Sequence, residues 1–157
     1  MSGLFDTTPN YSFYAIPGVW VLSLFPHLYA ATASKSFDNR TPRGYTKCLD
    51  SDQTLDKSTK ERIARAEGAQ QNGFENIGLF ASAVVAGNLA GLPSATLNTL
   101  AGGYFLSRLV YNVVYITNTS ETMANVRTAV FLGGIAQIMT LFVKSGNALM
   151  NRAPNLI

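Results

Sequence analysis

Arginines, amides, carboxylates and tyrosines able to hold a small charged molecule recur in this chain at helical spacing. The first set is Arg65-Ala-Glu-Gly-Ala-Gln-Gln-Asn72-Gly-Phe-Glu75-Asn-Ile-Gly-Leu-Phe80. At about 100° per residue, Arg65, Asn72 and Asn76 share one stripe, Gly68 and Ala69 fill its middle, and Glu75 stands a short step aside. A second set, Ser107-Arg108-Leu-Val-Tyr111-Asn-Val-Val-Tyr115, uses spacings of three and four, so Arg108, Tyr111 and Tyr115 fall on a single face. Arg127-Thr128 forms a third. A guanidinium's planar fork makes bidentate, charge-assisted bonds to carboxylates, and a carboxylate such as Glu75 suits an ammonium. A small zwitterion with two carboxylates and one ammonium matches the set. Cys48 is the only cysteine and His27 the only histidine. No internal disulfide is possible, no metal site is expected, and thiol chemistry must come mainly from a ligand. His27 is expected to pack through a hydrogen bond.

The elements that position these residues follow from where charge is missing. Charged residues make up 13% of the 157-residue chain, about half the roughly 25% of ordinary soluble domains. None occurs between Asp6 and Lys35, between Glu75 and Arg108, or between Arg127 and Lys144. About 20 apolar residues suffice to span a bilayer, so the pattern predicts a single all-α, integral-membrane domain over residues 1–157. It is an up-down four-helix bundle with helices at about 11–33, 58–91, 96–116 and 125–148. A soluble four-helix protein would need a charged outer face on every helix. Eight of the twelve basic residues lie between Lys35 and Arg65, interleaved with acids, so no nucleic-acid patch results. The positive-inside rule instead places the 34–57 loop in the cytosol, with both termini and the turn at Pro93 opposite. The first apolar stretch has neither a basic leader nor a clear cleavage site and reads as a retained helix.

Several local expectations follow. Ser58-Thr-Lys-Glu61 reads as a capping box opening the second helix. Gly87-Asn-Leu-Ala-Gly91 reads as a close-packing GxxxG spacing, and Gln137 as an interhelical hydrogen-bonding group. An arginine inside a span needs a partner, and Glu75 is the expected one for Arg108.

The pattern Arg65-x-x-x-Ala69-Gln70-x-Asn72-x-x-Glu75, followed by Arg108-x-x-Tyr111-x-x-x-Tyr115 and Arg127-Thr128, resembles the MAPEG family, the membrane-associated proteins of eicosanoid and glutathione metabolism, and in particular its microsomal glutathione transferase-like members. The resemblance covers Asn39 to Phe142. It implies a homotrimer in the endoplasmic reticulum membrane that holds glutathione, as co-substrate, between subunits. It also implies glutathione contacts from Arg65, Gln70, Asn72, Glu75, Arg108, Tyr111 and Tyr115, with Arg127 and Tyr115 stabilising the thiolate. Arg127, near the start of the fourth helix, would place the sulfur at the favourable end of its dipole. The expected reaction, transferase or peroxidase-like, joins that thiolate to a lipophilic electrophile arriving from the bilayer. Alternatives on the same scaffold are an isomerase or cyclase of a lipophilic metabolite and a non-catalytic lipid- or partner-binding protein. Two departures stand out. Gly68 occupies a position where glutathione-using members often carry an arginine, for which Arg43 or Arg40 of the loop could substitute. The turn between Tyr115 and Arg127 is also longer.

Overall fold

The computed structural model describes residues 8–34 and 36–151. Asp6 and Lys35, used above in the charge pattern, and the Cys48 side chain lie outside the described residues. The described chain has four α-helices and no strand: α1 (Ser12–Ala33), α2 (Lys57–Leu89), α3 (Ser94–Thr117) and α4 (Glu121–Met150). A short 3-10 turn, Tyr45–Cys48, sits in the long first connection. The brief links 90–93 and 118–120 make consecutive helices antiparallel neighbours. α1 runs antiparallel to α2, because Asn10 meets Asn88 at one end of the pair and His27 meets Glu67 toward the other.

Helix ends differ from the expected ones for identifiable reasons. Asp56, rather than Ser58, caps α2. Its carboxylate accepts from the Ser58 hydroxyl at 2.6 Å and the Thr59 N–H at 3.4 Å, bonds that hold its pKa down at about 2. Ser58 is therefore already inside the helix, and the expected box does not form. Ser120 caps α4 by accepting from the Met123 N–H at 3.3 Å, so α4 starts at Glu121, four residues before the expected position. At the end of α2, Leu92 N–H bonds Gly87 O and Gly91 N–H bonds Asn88 O, with Gly91 at φ 69°. That is a Schellman cap, which needs a left-handed residue. Gly91 is thus a turn residue and only Gly87 packs, against Leu97 of α3 and Leu141 of α4. Gln137 donates to Gly133 O of its own helix and abuts Gly103 of α3.

The interior has two apolar clusters with a polar layer between them. One joins Val19, Phe80, Ala83, Val84, Leu97, Ala101, Tyr104, Ile138 and Leu141. The other, at the loop end, joins Ala30, Tyr45, Leu49, Ile63 and Ala66. Between them lie Ser23, Gln70, Arg108 and Asn112, all buried. Gly73 lets α1 and α2 touch at this level, because a Cβ there would sit 2.6 Å from Ser23 Oγ and 3.2 Å from Ser23 Cα. Pro26 has no N–H to return to Leu22 O. Asn112 Nδ2 of α3 donates to that carbonyl instead, at 2.8 Å.

The outside of the bundle is apolar: Trp20, Phe25, Leu106, Val113, Leu132 and Val143 are all exposed. Such a surface is stable against lipid or another subunit and not against water. By length and composition α1 and α4 are able to cross a membrane. α2 and α3 are long enough but do not reach the same mean hydropathy, since Glu75, Asn76 and Asn88 in α2, and Arg108 with the Thr, Asn and Gly residues in α3, lower it. At about 1.5 Å per residue, the 33 residues of α2 exceed a hydrocarbon core of about 30 Å. Were α2 to cross such a core, its polar N-terminal turns would stand clear of it.

Candidate functional site

The polar layer is built where α2 faces α3. The stripe of α2 lies against α3 in antiparallel order: Arg65 Nε donates to Ile116 O at 3.2 Å, Gly68 lies against Tyr115, and Asn72 Oδ1 accepts from Arg108 Nη2 at 2.9 Å. Arg108, only 3% exposed, also has its guanidinium carbon 4.2 Å from the centre of the Tyr111 ring. Tyr111 meets Tyr115 edge to face at 5.4 Å and lies near Phe131 of α4. Half-buried Arg127 of α4 covers the Tyr115 ring at 4.6 Å. Among the described residues, no carboxylate forms an ion pair with Arg108 or Arg127.

A cleft of about 760 Å³ adjoins this cluster on the loop side of α2, lined by Arg43, Thr46, Leu49, Ala64, Glu67, Gly68, Gln70, Gln71, Phe74 and Glu75. Gly68 belongs to its wall and also lies against Tyr115, which joins cleft and cluster.

The candidate residues are thus divided. Asn72, Arg108, Tyr111, Tyr115 and Arg127 come together. Gln70 and Glu75 line the cleft. The expected Glu75–Arg108 pair does not form, because Glu75 lies on the exposed side of α2 and accepts from Gln71 Nε2 at 2.9 Å, one turn away. Arg65 is committed to Ile116 O and, at 3.7 Å, to Glu61. It braces α2 on α3 and is not drawn into the cluster. Of the two loop arginines, Arg40 is spent on a surface pair with Asp38, whereas Arg43 lines the cleft. Because α4 starts at Glu121, Arg127 sits well past the first turn, where a helix dipole has little effect. The cation itself, and not the helix end, is the charge that a sulfur there would meet.

Glu67 was not singled out from the sequence. Its Oε1 accepts from the Tyr45 hydroxyl at 2.6 Å and bonds His27 Nδ1 at 2.7 Å. This gives His27 its packing bond and fastens the loop to α1 and α2. Burial, followed by the hydrogen bond to Glu67 and that carboxylate's charge, raises the Tyr45 pKa well above its ordinary value. The signal available was a lone histidine and a carboxylate at the same end of antiparallel helices, but their contact bridges forty positions.

The MAPEG family profile matches residues 14–147. No curated protein and no solved structure matches the chain. The match takes in all of α2 and α3, most of α1 and α4, and every residue of the cluster and the cleft. It supports, in broad terms, a glutathione-related transferase or isomerase-like function at a membrane. With most of its length under one profile, the chain belongs to the MAPEG family.

Proposed function

We propose that the protein is a membrane glutathione transferase, with peroxidase-like capacity, that adds the thiolate of glutathione to a lipophilic electrophile. The observation that carries this reading is the pair of arginines, one of them buried, that lie over tyrosine rings with no ion-paired carboxylate among the described residues. A cation left unpaired in an apolar protein is costly, and an anionic guest offsets that cost. Arg108 and Asn72 offer donors to a carboxylate, and Arg43 adds a cation from the loop. Glu75 and Gln71 offer acceptors to an ammonium.

The sulfur is assigned to Tyr115 and Arg127. A free cysteine thiol has a pKa near 8.5, and only the thiolate is a good nucleophile. Lowering that pKa by one unit takes about 1.4 kcal/mol of preferential stabilisation of the anion. A partly desolvated guanidinium with an adjacent phenol is able to supply it. The electrophile arrives from the bilayer along the apolar outer faces of the helices.

The assembly proposed is a homotrimer in the endoplasmic reticulum membrane, with the 34–57 loop cytosolic and all 157 residues in one domain. It is supported by the exposure of Gln71 and Glu75 on α2, a polar edge that a neighbouring subunit would cover. The test is calorimetric titration of glutathione into detergent-purified protein, combined with turnover of a generic aromatic electrophile. Saturable binding with turnover is expected. Binding without turnover would favour the isomerase or non-catalytic reading, and absence of binding would end the proposal.

A further inference from the structure

We propose that Gly68 is a positioning residue: its missing side chain seats the Tyr115 hydroxyl at the joint between the cleft and the arginine–tyrosine cluster. The inference rests on the reading of Tyr115 and Arg127 as the thiolate site. A Cβ at position 68 would lie 2.8 Å from the Tyr115 hydroxyl oxygen, 3.3 Å from Cζ and 3.5 Å from Cε1. The conflict is thus concentrated on one atom, and that atom is the one proposed to act on sulfur. Gly68 also lines the cleft. The hydroxyl makes no hydrogen bond among the described residues, so its position is set by packing alone.

Three contacts fix that ring. Gly68 of α2 meets its hydroxyl end, Arg127 of α4 covers its face, and Tyr111 meets it edge to face. A methyl group at position 68 has to push the hydroxyl outward by several tenths of an ångström, and the ring under Arg127 moves with it. Donor geometry at a reacting atom is sensitive to displacements of this size. Gly68 has φ below zero in the middle of a regular helix, where alanine is the better helix former. The glycine is therefore explained by the room it leaves and not by a backbone requirement.

The experiment compares full-length wild-type protein, Gly68→Ala, Tyr115→Phe and the double variant in the same micelles. With the hydroxyl gone, the nearest ring atom is Cζ at 3.3 Å. Gly68→Ala is expected to lower the thermal midpoint in the wild-type background and raise it in the Tyr115→Phe background. In the conjugation assay Gly68→Ala is expected to lower kcat about tenfold with KM for glutathione within about twofold, and to have no further effect once Tyr115 is phenylalanine. Midpoint shifts of the same sign in both backgrounds, or an unchanged kcat in an active wild-type background, overturn the proposal. If Gly68→Ala does not fold, the double variant is expected to fold; its failure to do so also overturns it. An inactive wild-type protein would count against the proposed reaction, while the reversal of sign would still decide the contact.

Discussion

The two ends of the bundle solve the same problem in different ways. At the end holding the α2–α3 turn, the polar side chains satisfy one another. Asn88 bonds Asn10 and Ser12, and Asn98 bonds the backbone at Pro9 and Tyr11. The Gly91 cap then closes the helix. At the loop end, Arg108 has an amide partner and a ring, Arg127 lies over a ring, and among the described residues neither arginine has an ion pair and the Tyr115 hydroxyl, set against Gly68, has no hydrogen bond. The first end is a closed lattice of amides that ties three helices together. The second retains bonding capacity, and a ligand is what that capacity suits. Polar residues in a helical membrane protein are therefore sorted less by type than by whether their bonds are already made.

Substitutions at the two ends should separate activity from stability. The largest expected effect is that of Arg127→Ala. Loss of a preorganised donor costs about 100-fold or more in kcat, while the thermal midpoint should fall only slightly, because Arg127 is half-exposed and its contact with α3 is the face of the Tyr115 ring. Unchanged conjugation kinetics would remove Arg127 from the mechanism. Arg108→Ala should act on both quantities, leaving Asn72 Oδ1 without its donor and costing about 2 kcal/mol in stability by denaturant titration. It should also weaken glutathione affinity about tenfold, the value of roughly 1.4 kcal/mol. At the closed end, Asn88→Ala should cost about 1 kcal/mol of stability and leave kcat untouched. A loss of activity there would mean that the ends are not independent.

The smallest effect concerns pH. The folded-state pKa of Tyr45 is raised above the ordinary 10.0. Unfolding above pH 10 therefore releases a proton that the folded protein keeps, and stability should be complete below pH 10 and fall as pH rises beyond it. Tyr45→Phe should flatten that fall, as read by thermal midpoints between pH 9 and 11.

Much of this was legible in the residues because helical periodicity fixes faces. The stripe through Arg65, Gly68 and Asn72 does face α3, and the spacing of Arg108, Tyr111 and Tyr115 does put them on one side. Period says nothing about which residue stands opposite, however. Glu75 was expected to meet Arg108, yet a step of about 100° carries it to the outer face of α2. The bond from Asn112 to the carbonyl freed by Pro26, and that from His27 to Glu67, depend on how far one helix slides along another, which no local pattern encodes. Gly68 read as a lost cation and proved to be the space filled by a phenol. The start of α4 lies at Glu121 and not near 125, because a single hydroxyl, Ser120, caps it.

Thiolate stabilisation by the arginine–tyrosine cluster is open to ultraviolet difference absorption of glutathione bound to the purified protein. A thiolate band is expected at neutral pH, titrating below the free thiol and lost in Arg127→Ala with glutathione still bound. Bound glutathione that shows no thiolate band, or a band that persists unchanged in Arg127→Ala, would contradict it.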